Sequence, residues 1–146
     1  MENLRFKVAL ITGGTKGIGY AVAEKLLQQG ISVAITGRRA SDAETAAKRL
    51  NEAGNNLVHA VGFASDVRSF ESQQETVEAV IKEFGRLDIV IANAGVGHFA
   101  SIDALTVEKW QETIDTNLTG AFFSIKASVK ELIKNKGYYI SISSLA

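Results

Sequence analysis

Residues 12–19 read T-G-G-T-K-G-I-G and close an apolar run that begins at Phe6. A strand that ends in glycines and opens a helix turns backbone N–H groups and the positive end of the helix dipole toward one point, which suits an anion, phosphate above all. Gly13, Gly17 and Gly19 follow G-x-x-x-G-x-G, not G-x-G-x-x-G. Each can still serve the same need: a tight turn, a close backbone approach, a helix laid on a strand. A P-loop is disfavoured, because Tyr20 and Ala21 stand where Lys and Ser or Thr would be required.

Outward from this loop, short apolar runs alternate with segments of helical period, the pattern of βαβ units around a parallel sheet. The runs Phe6 to Thr12, Ile31 to Thr36, Leu57 to Phe63, Leu87 to Ala92 and Tyr138 to Ser143 are the predicted strands. Ile18, Ala21, Val22 and Leu26 mark a first helix that stops at Gly30. Ser41 and Glu44 make a capping box for a second, with Ala43, Ala46, Ala47 and Leu50 inward and a turn over residues 51–56. Val77, Val80, Ile81 and Phe84 mark a third, ending at Gly85, and Trp110, Ile114, Leu118, Ala121, Ile125, Val129 and Leu132 keep one face apolar over a fourth, about 40 Å long. The expected fold is α/β, a Rossmann-type doubly wound parallel sheet that stops after its fifth strand, in a single domain over residues 1–146.

The 146 residues carry 16 Lys plus Arg against 16 Asp plus Glu, so no overall field recruits nucleic acid or an anionic membrane, and phosphate recognition must be local. The absence of cysteine excludes disulfides, thiolate metal sites and thiol nucleophiles. No apolar run approaches the ~18 residues of a membrane span, and the N-terminus has no long apolar segment. The expectation is a cytoplasmic protein with no metal.

Where NAD binders carry an acid for the adenosine ribose, at the end of the second strand, this chain has Thr36-Gly37-Arg38-Arg39. A guanidinium bonds phosphate in bidentate fashion, so Arg38 suits a 2′-phosphate, and Lys16 in the glycine loop adds a second charge. The expected cofactor is NADP(H). Arg39 stays open. A methyltransferase would want an acid at this point, which argues against that reading.

These residues resemble the short-chain dehydrogenase/reductase family. T-G-G-T-K-G-I-G is similar to its cofactor loop, which brings Thr15 and Ile18 into the expected site. Ala92-Asn93-Ala94-Gly95 is similar to its N-N-A-G motif with one substitution, and Asp66-Val67 to its adenine-contacting D-V. Asn117 and Ser144 match its catalytic Asn and Ser in order and spacing. The resemblance implies hydride transfer between a nicotinamide and a small carbonyl or alcohol, with a 3-oxoacyl carrier-protein reductase as the nearest type and a homo-oligomer as the assembly. By that register Ser144 donates to the substrate oxygen, Asp66 accepts from the adenine amino group, and Asn93 braces the sheet or the adenosine pocket. Asn117, set between Ile114 and Leu118 on an apolar face, needs a partner, whether water, backbone or lysine, because an unpaired buried amide costs on the order of 1–3 kcal/mol. Of the two histidines, His59 is expected outward on the third strand, and His98 lies near the expected substrate mouth.

The family's Tyr-x-x-x-Lys pair has no counterpart: Tyr20, Tyr138 and Tyr139 are followed four on by Glu24, Ile142 and Ser143. The chain is therefore expected to be the N-terminal part of a longer enzyme, able to hold cofactor but inactive alone, with its fifth strand an exposed edge that favours association. The competing expectation is a non-catalytic NADP-binding or regulatory module.

Overall fold

Five strands, β1 (Val8–Ile11), β2 (Ser32–Gly37), β3 (Ala60–Ala64), β4 (Ile89–Ala92) and β5 (Tyr138–Ser141), form one sheet in the order β3-β2-β1-β4-β5. The computed structural model describes residues 4–53 and 57–144; positions 54–56 of the expected turn lie outside them. Every neighbouring pair of strands is parallel, so each connection is a crossover. β1 and β4 are buried at every residue, as strands covered on both faces must be.

Helices α1 (Gly17–Gln28) and α2 (Ala40–Ala53) cover one face, bringing Ala23, Leu27, Ala46 and Leu50 onto Ile11, Val33 and Ile35. α3 (Phe70–Phe84) and α5 (Gly120–Lys134) cover the other, bringing Val77, Val80 and Leu132 onto Leu10, Ala34 and Val90. This is the doubly wound architecture, with its reversal between β1 and β4, where such sheets place ligands beyond the carboxyl ends of the strands. Among the described residues, no helix is long and apolar enough to cross a membrane.

Several local expectations are corrected. β1 starts at Val8, because Phe6 turns into the left-handed region at φ 65° and its N–H donates to the Gly30 carbonyl. The buried stripe of α1 is Gly19, Ala23 and Leu27, with Tyr20, Val22 and Leu26 partly buried beside it and Ile18 and Ala21 exposed. α2 begins at Ala40, which puts Ser41 inside the first turn instead of at the cap, while Arg39 bonds Asp42 there.

The long fourth helix is broken into α4 (Val107–Thr113), a π-helical turn over Ile114–Thr119, and α5. A π turn holds extra backbone and advances the facing of everything after it. The inward residues of α5 are accordingly Gly120, Ser124, Ser128 and Leu132, while Trp110 and Leu118, expected inside, are exposed.

Candidate functional site

Beyond the carboxyl ends of β1 to β4 lies a cleft of about 800 Å³. Its walls are Gly13 and residues 15–18 after β1, 36–39 at the end of β2 with Asp42, 65–68 after β3, 93–96 after β4, and Thr116 of the π turn. Of the expected site residues, Gly13, Thr15, Lys16, Gly17, Ile18, Arg38, Asp66, Val67, Asn93, Ala94 and Gly95 meet there. Gly19, Asn117 and Ser144 do not line it.

The glycine loop is shaped from behind by the 93–95 segment. Asn93 Nδ2 donates to the carbonyls of Thr12 and Gly13 at 3.1 Å each, and the N–H groups of Asn93 and Ala94 donate to Thr12 Oγ1, also at 3.1 Å. Gly13 has φ +66°, and a Cβ on it would stand 2.9 Å from Ala94 Cα; one on Gly19 would stand 2.5 Å from Asn93 Nδ2. Both positions therefore demand glycine. Gly19 does its work beneath the cleft instead of in its wall. At the mouth of α1 the cap residue Lys16 makes no side-chain capping bond, leaving the first-turn N–H groups for an anion. Thr36 Oγ1, in the cleft wall, is buried without a hydrogen-bond partner.

Charge within the cleft is sorted by pairing. Arg39 reaches Asp42 at 2.7 Å, and Arg68 reaches Asp66 at 2.7 Å. The Arg68 guanidinium holds the Asp66 carboxyl below its usual range, against a smaller upward push from burial; Arg38 adds to the lowering. Lys16 and Arg38 make no ion pair with a described residue, so the cleft keeps two uncommitted positive charges.

Asn117 finds the backbone partner among its expected alternatives: its Nδ2 donates to the Val96 carbonyl and its Oδ1 accepts from the Val96 N–H, both at 2.8 Å. It is exposed, not buried in an apolar face. Ser144 is exposed beyond the end of β5. His98 Nε2 lies 2.8 Å from Glu112 Oε2, tying the loop after β4 to α4, and His59 Nε2 lies 3.2 Å from Glu83 Oε1, half exposed and away from the cleft.

None of the three tyrosines faces the cleft. Tyr139 donates to the Ala121 carbonyl at 2.8 Å, Tyr138 lies under Lys7, and Tyr20 packs on the core. Sequence reasoning missed Thr12 and Arg68; the signal for Arg68 was its place two residues after Asp66 on the same strand end.

Residues 7–146 match the family described as short chain dehydrogenase. The chain is 36% identical over 146 residues to the NADP-dependent (R)-specific alcohol dehydrogenase of Lentilactobacillus kefiri, covering 99% of this chain and 56% of that protein. Among solved structures, an alcohol dehydrogenase from the archaeon Thermococcus sibiricus complexed with 5-hydroxy-NADP superposes with a TM-score of 0.85 at 34% identity, over 92% of this chain and 57% of the other. A short-chain type dehydrogenase/reductase from Mycobacterium ulcerans gives a TM-score of 0.92 at 30% identity, over 99% and 53%. The chain thus spans little more than half the length of these relatives. With its family match, its parallel 3-2-1-4-5 sheet and its glycine-floored cleft, the chain belongs to the short chain dehydrogenase family.

Proposed function

We propose that this chain is the cofactor-holding part of an NADP(H)-dependent oxidoreductase acting on a small carbonyl compound or the corresponding alcohol. The observation that carries the reading is Arg38: it stands in the cleft after β2 with no ion-pair partner among the described residues, while its neighbour Arg39 is held by Asp42. The two positive charges left over, Arg38 and Lys16, call for an anion beyond the pyrophosphate, and a 2′-phosphate is one.

The residues fit such a dinucleotide. Gly13, Thr15, Lys16, Gly17, Ile18 and the close packing of Gly19 cradle the pyrophosphate, Arg38 takes the 2′-phosphate, Asp66 and Val67 take the base, and residues 93–95 border the adenosine. The cofactor, when bound, supplies the hydride acceptor or donor. Ser144 orients the substrate oxygen, and Asn117 holds the Val96 loop beside it. The three tyrosines all have other partners or packing, so none of them is set against the cleft for a proton step.

The Lentilactobacillus and Thermococcus relatives are named alcohol dehydrogenases, which supports an alcohol or its carbonyl counterpart as substrate, a 3-oxoacyl thioester being one such carbonyl compound. Cytoplasmic location and a homo-oligomeric parent enzyme are part of the same proposal. Titration with NADPH and NADH tests it. A charge-assisted bond contributes about 1.5–3 kcal/mol, so NADPH is expected to bind on the order of 10- to 100-fold more tightly, and Arg38→Asp to abolish that preference. Equal affinity for both, or binding of neither, overturns the reading.

A further inference from the structure

The π turn over Ile114–Thr119 is marked by the Gly120 N–H, which donates to the Asp115 carbonyl five residues back. Such a turn is rare and competes with an ordinary α-helical register, so contacts from outside the helix must favour it. Reversion would slip the chain by one residue and swing the side chains of the turn by about 100° relative to α5. Asn117 would then lose Val96, and Thr116 its place in the cleft wall.

One tie that holds the observed register is the Asn117 contact itself; another comes from β5. Tyr139, paired with Val90 in the sheet and packed on the Leu132 side of the core, sends its hydroxyl to the first turn of α5, where it donates to the Ala121 carbonyl at 2.8 Å. Ser124 Oγ donates to the same carbonyl at 2.8 Å and lies 3.2 Å from the tyrosine oxygen. An apolar side chain would fill this space as well, but a hydrogen bond adds a direction and tolerates little displacement. The bond therefore fixes how α5 is rotated over the sheet right beside Gly120, where a Cβ would already stand 2.8 Å from Val67 Cγ2. The start of α5 thus bears on three parts of the cleft wall: Val67, Thr116, and Val96 through Asn117.

We propose that Tyr139 is a positioning residue of this cleft: from behind the sheet, its hydroxyl holds the Ala121 carbonyl so that the π turn keeps its register and Asn117 stays on Val96. The functional half of the proposal rests on the dinucleotide reading above and deepens it. With the 2′-phosphate at Arg38 and the pyrophosphate at the glycine loop, the other half of the dinucleotide runs toward Val96 and Thr116, the part of the wall that the turn sets.

The test is Tyr139→Phe, which removes the hydroxyl and keeps the ring. Hydrogen exchange of the 146-residue chain, read by mass spectrometry at low micromolar concentration, should quicken roughly 2- to 10-fold over 94–98 and 114–121 and stay as it was over β1 and β4. In calorimetric titration the variant should bind NADPH more weakly by a similar factor, and adenosine 2′,5′-bisphosphate, which stops short of Val96, as tightly as before. Ser124→Ala takes away the other donor to the Ala121 carbonyl but not the tie between layers, and should leave both readouts near their original values. The proposal is overturned if exchange over 94–98 is unchanged in Tyr139→Phe, if it quickens equally in β1 and β4, if NADPH binds the variant undiminished, if both nucleotides weaken alike, or if Ser124→Ala matches Tyr139→Phe. An original chain that binds neither nucleotide overturns the dinucleotide reading, and the exchange arm then decides alone whether Tyr139 sets the turn.

Discussion

Arg38 and Arg39 are neighbours in sequence but not in partners, and the helix that begins just after them makes the difference. Because α2 starts at Ala40, Asp42 falls one turn from Arg39 and takes it, leaving Arg38 to the cleft. Both arginines line the cleft, and it is the position of the first helical residue that ties Arg39 to Asp42. Arg68 and Asp66 form the other pair, and it has a pH signature. A carboxyl whose folded pKa is depressed contributes stability that is fully present above its unfolded value, near the ordinary 3.8, and is lost as pH falls through the lower folded value. The two side chains are 41% and 38% exposed, so water screens them and the contribution is about 0.2–1 kcal/mol. Asp66→Asn should therefore lower stability slightly at pH 7 and flatten its fall below pH about 4, in urea melts across pH 2–7. An acid limb identical to that of the original chain would show that the pair adds nothing to folding.

At the scale of elements, the stretch from Val107 to Lys134 is where apolar periodicity misled. Its large side chains suggest one straight helix, but the π turn over Ile114–Thr119 re-aims α5, and the close contacts are then made by small residues. A Cβ on Gly120 would stand 2.8 Å from Val67 Cγ2, and Ser124 and Ser128 are fully buried with their hydroxyls donating to backbone carbonyls. Hydropathy is blind to such positions, because a serine that satisfies itself on its own helix packs like a small apolar residue. The widened turn presents the Asn117 amide edge-on to Val96, a two-bond contact that pins the cleft-lining loop to the helix. Asn117→Ala should cost about 1–2 kcal/mol in chemical denaturation, and the Val96 amide should exchange with solvent markedly faster. Unchanged exchange at Val96 would mean that the loop is held by other contacts, with His98 and Glu112 the next to test.

For the whole molecule, the doubly wound parallel class was legible because each strand is a compact apolar run and each helix has its own period, whereas the order of the strands comes from the structure. The polar interior was not legible either. Asp88 is fully buried, its carboxylate accepts from Arg86 and from the Val8 N–H, and its backbone bonds Val8 and Tyr138, so one residue joins β1, β4 and β5. Its place inside the apolar run Leu87 to Ala92 marks it as a strand residue, but the run does not name the partners that let its carboxylate be buried. β5 also shows how unevenly the sheet is covered. Tyr138, Ile140 and Ile142 alternate onto one side and remain 49%, 46% and 41% exposed, whereas Tyr139 on the other side packs beneath α5. β5 pairs only with β4 among the described residues, so its outer backbone edge and that apolar row are open together. Such an edge templates pairing with another chain, and a lysine there is the usual deterrent. This 146-residue polypeptide should therefore self-associate at tens of micromolar, and Ile140→Lys should shift it toward monomer in sedimentation velocity without altering its circular dichroism. If the original chain sediments as a monomer at that concentration, the β5 surface is too small to drive association. If both associate equally, the contact lies elsewhere, on the exposed apolar residues around Trp110, Leu118 and Phe122.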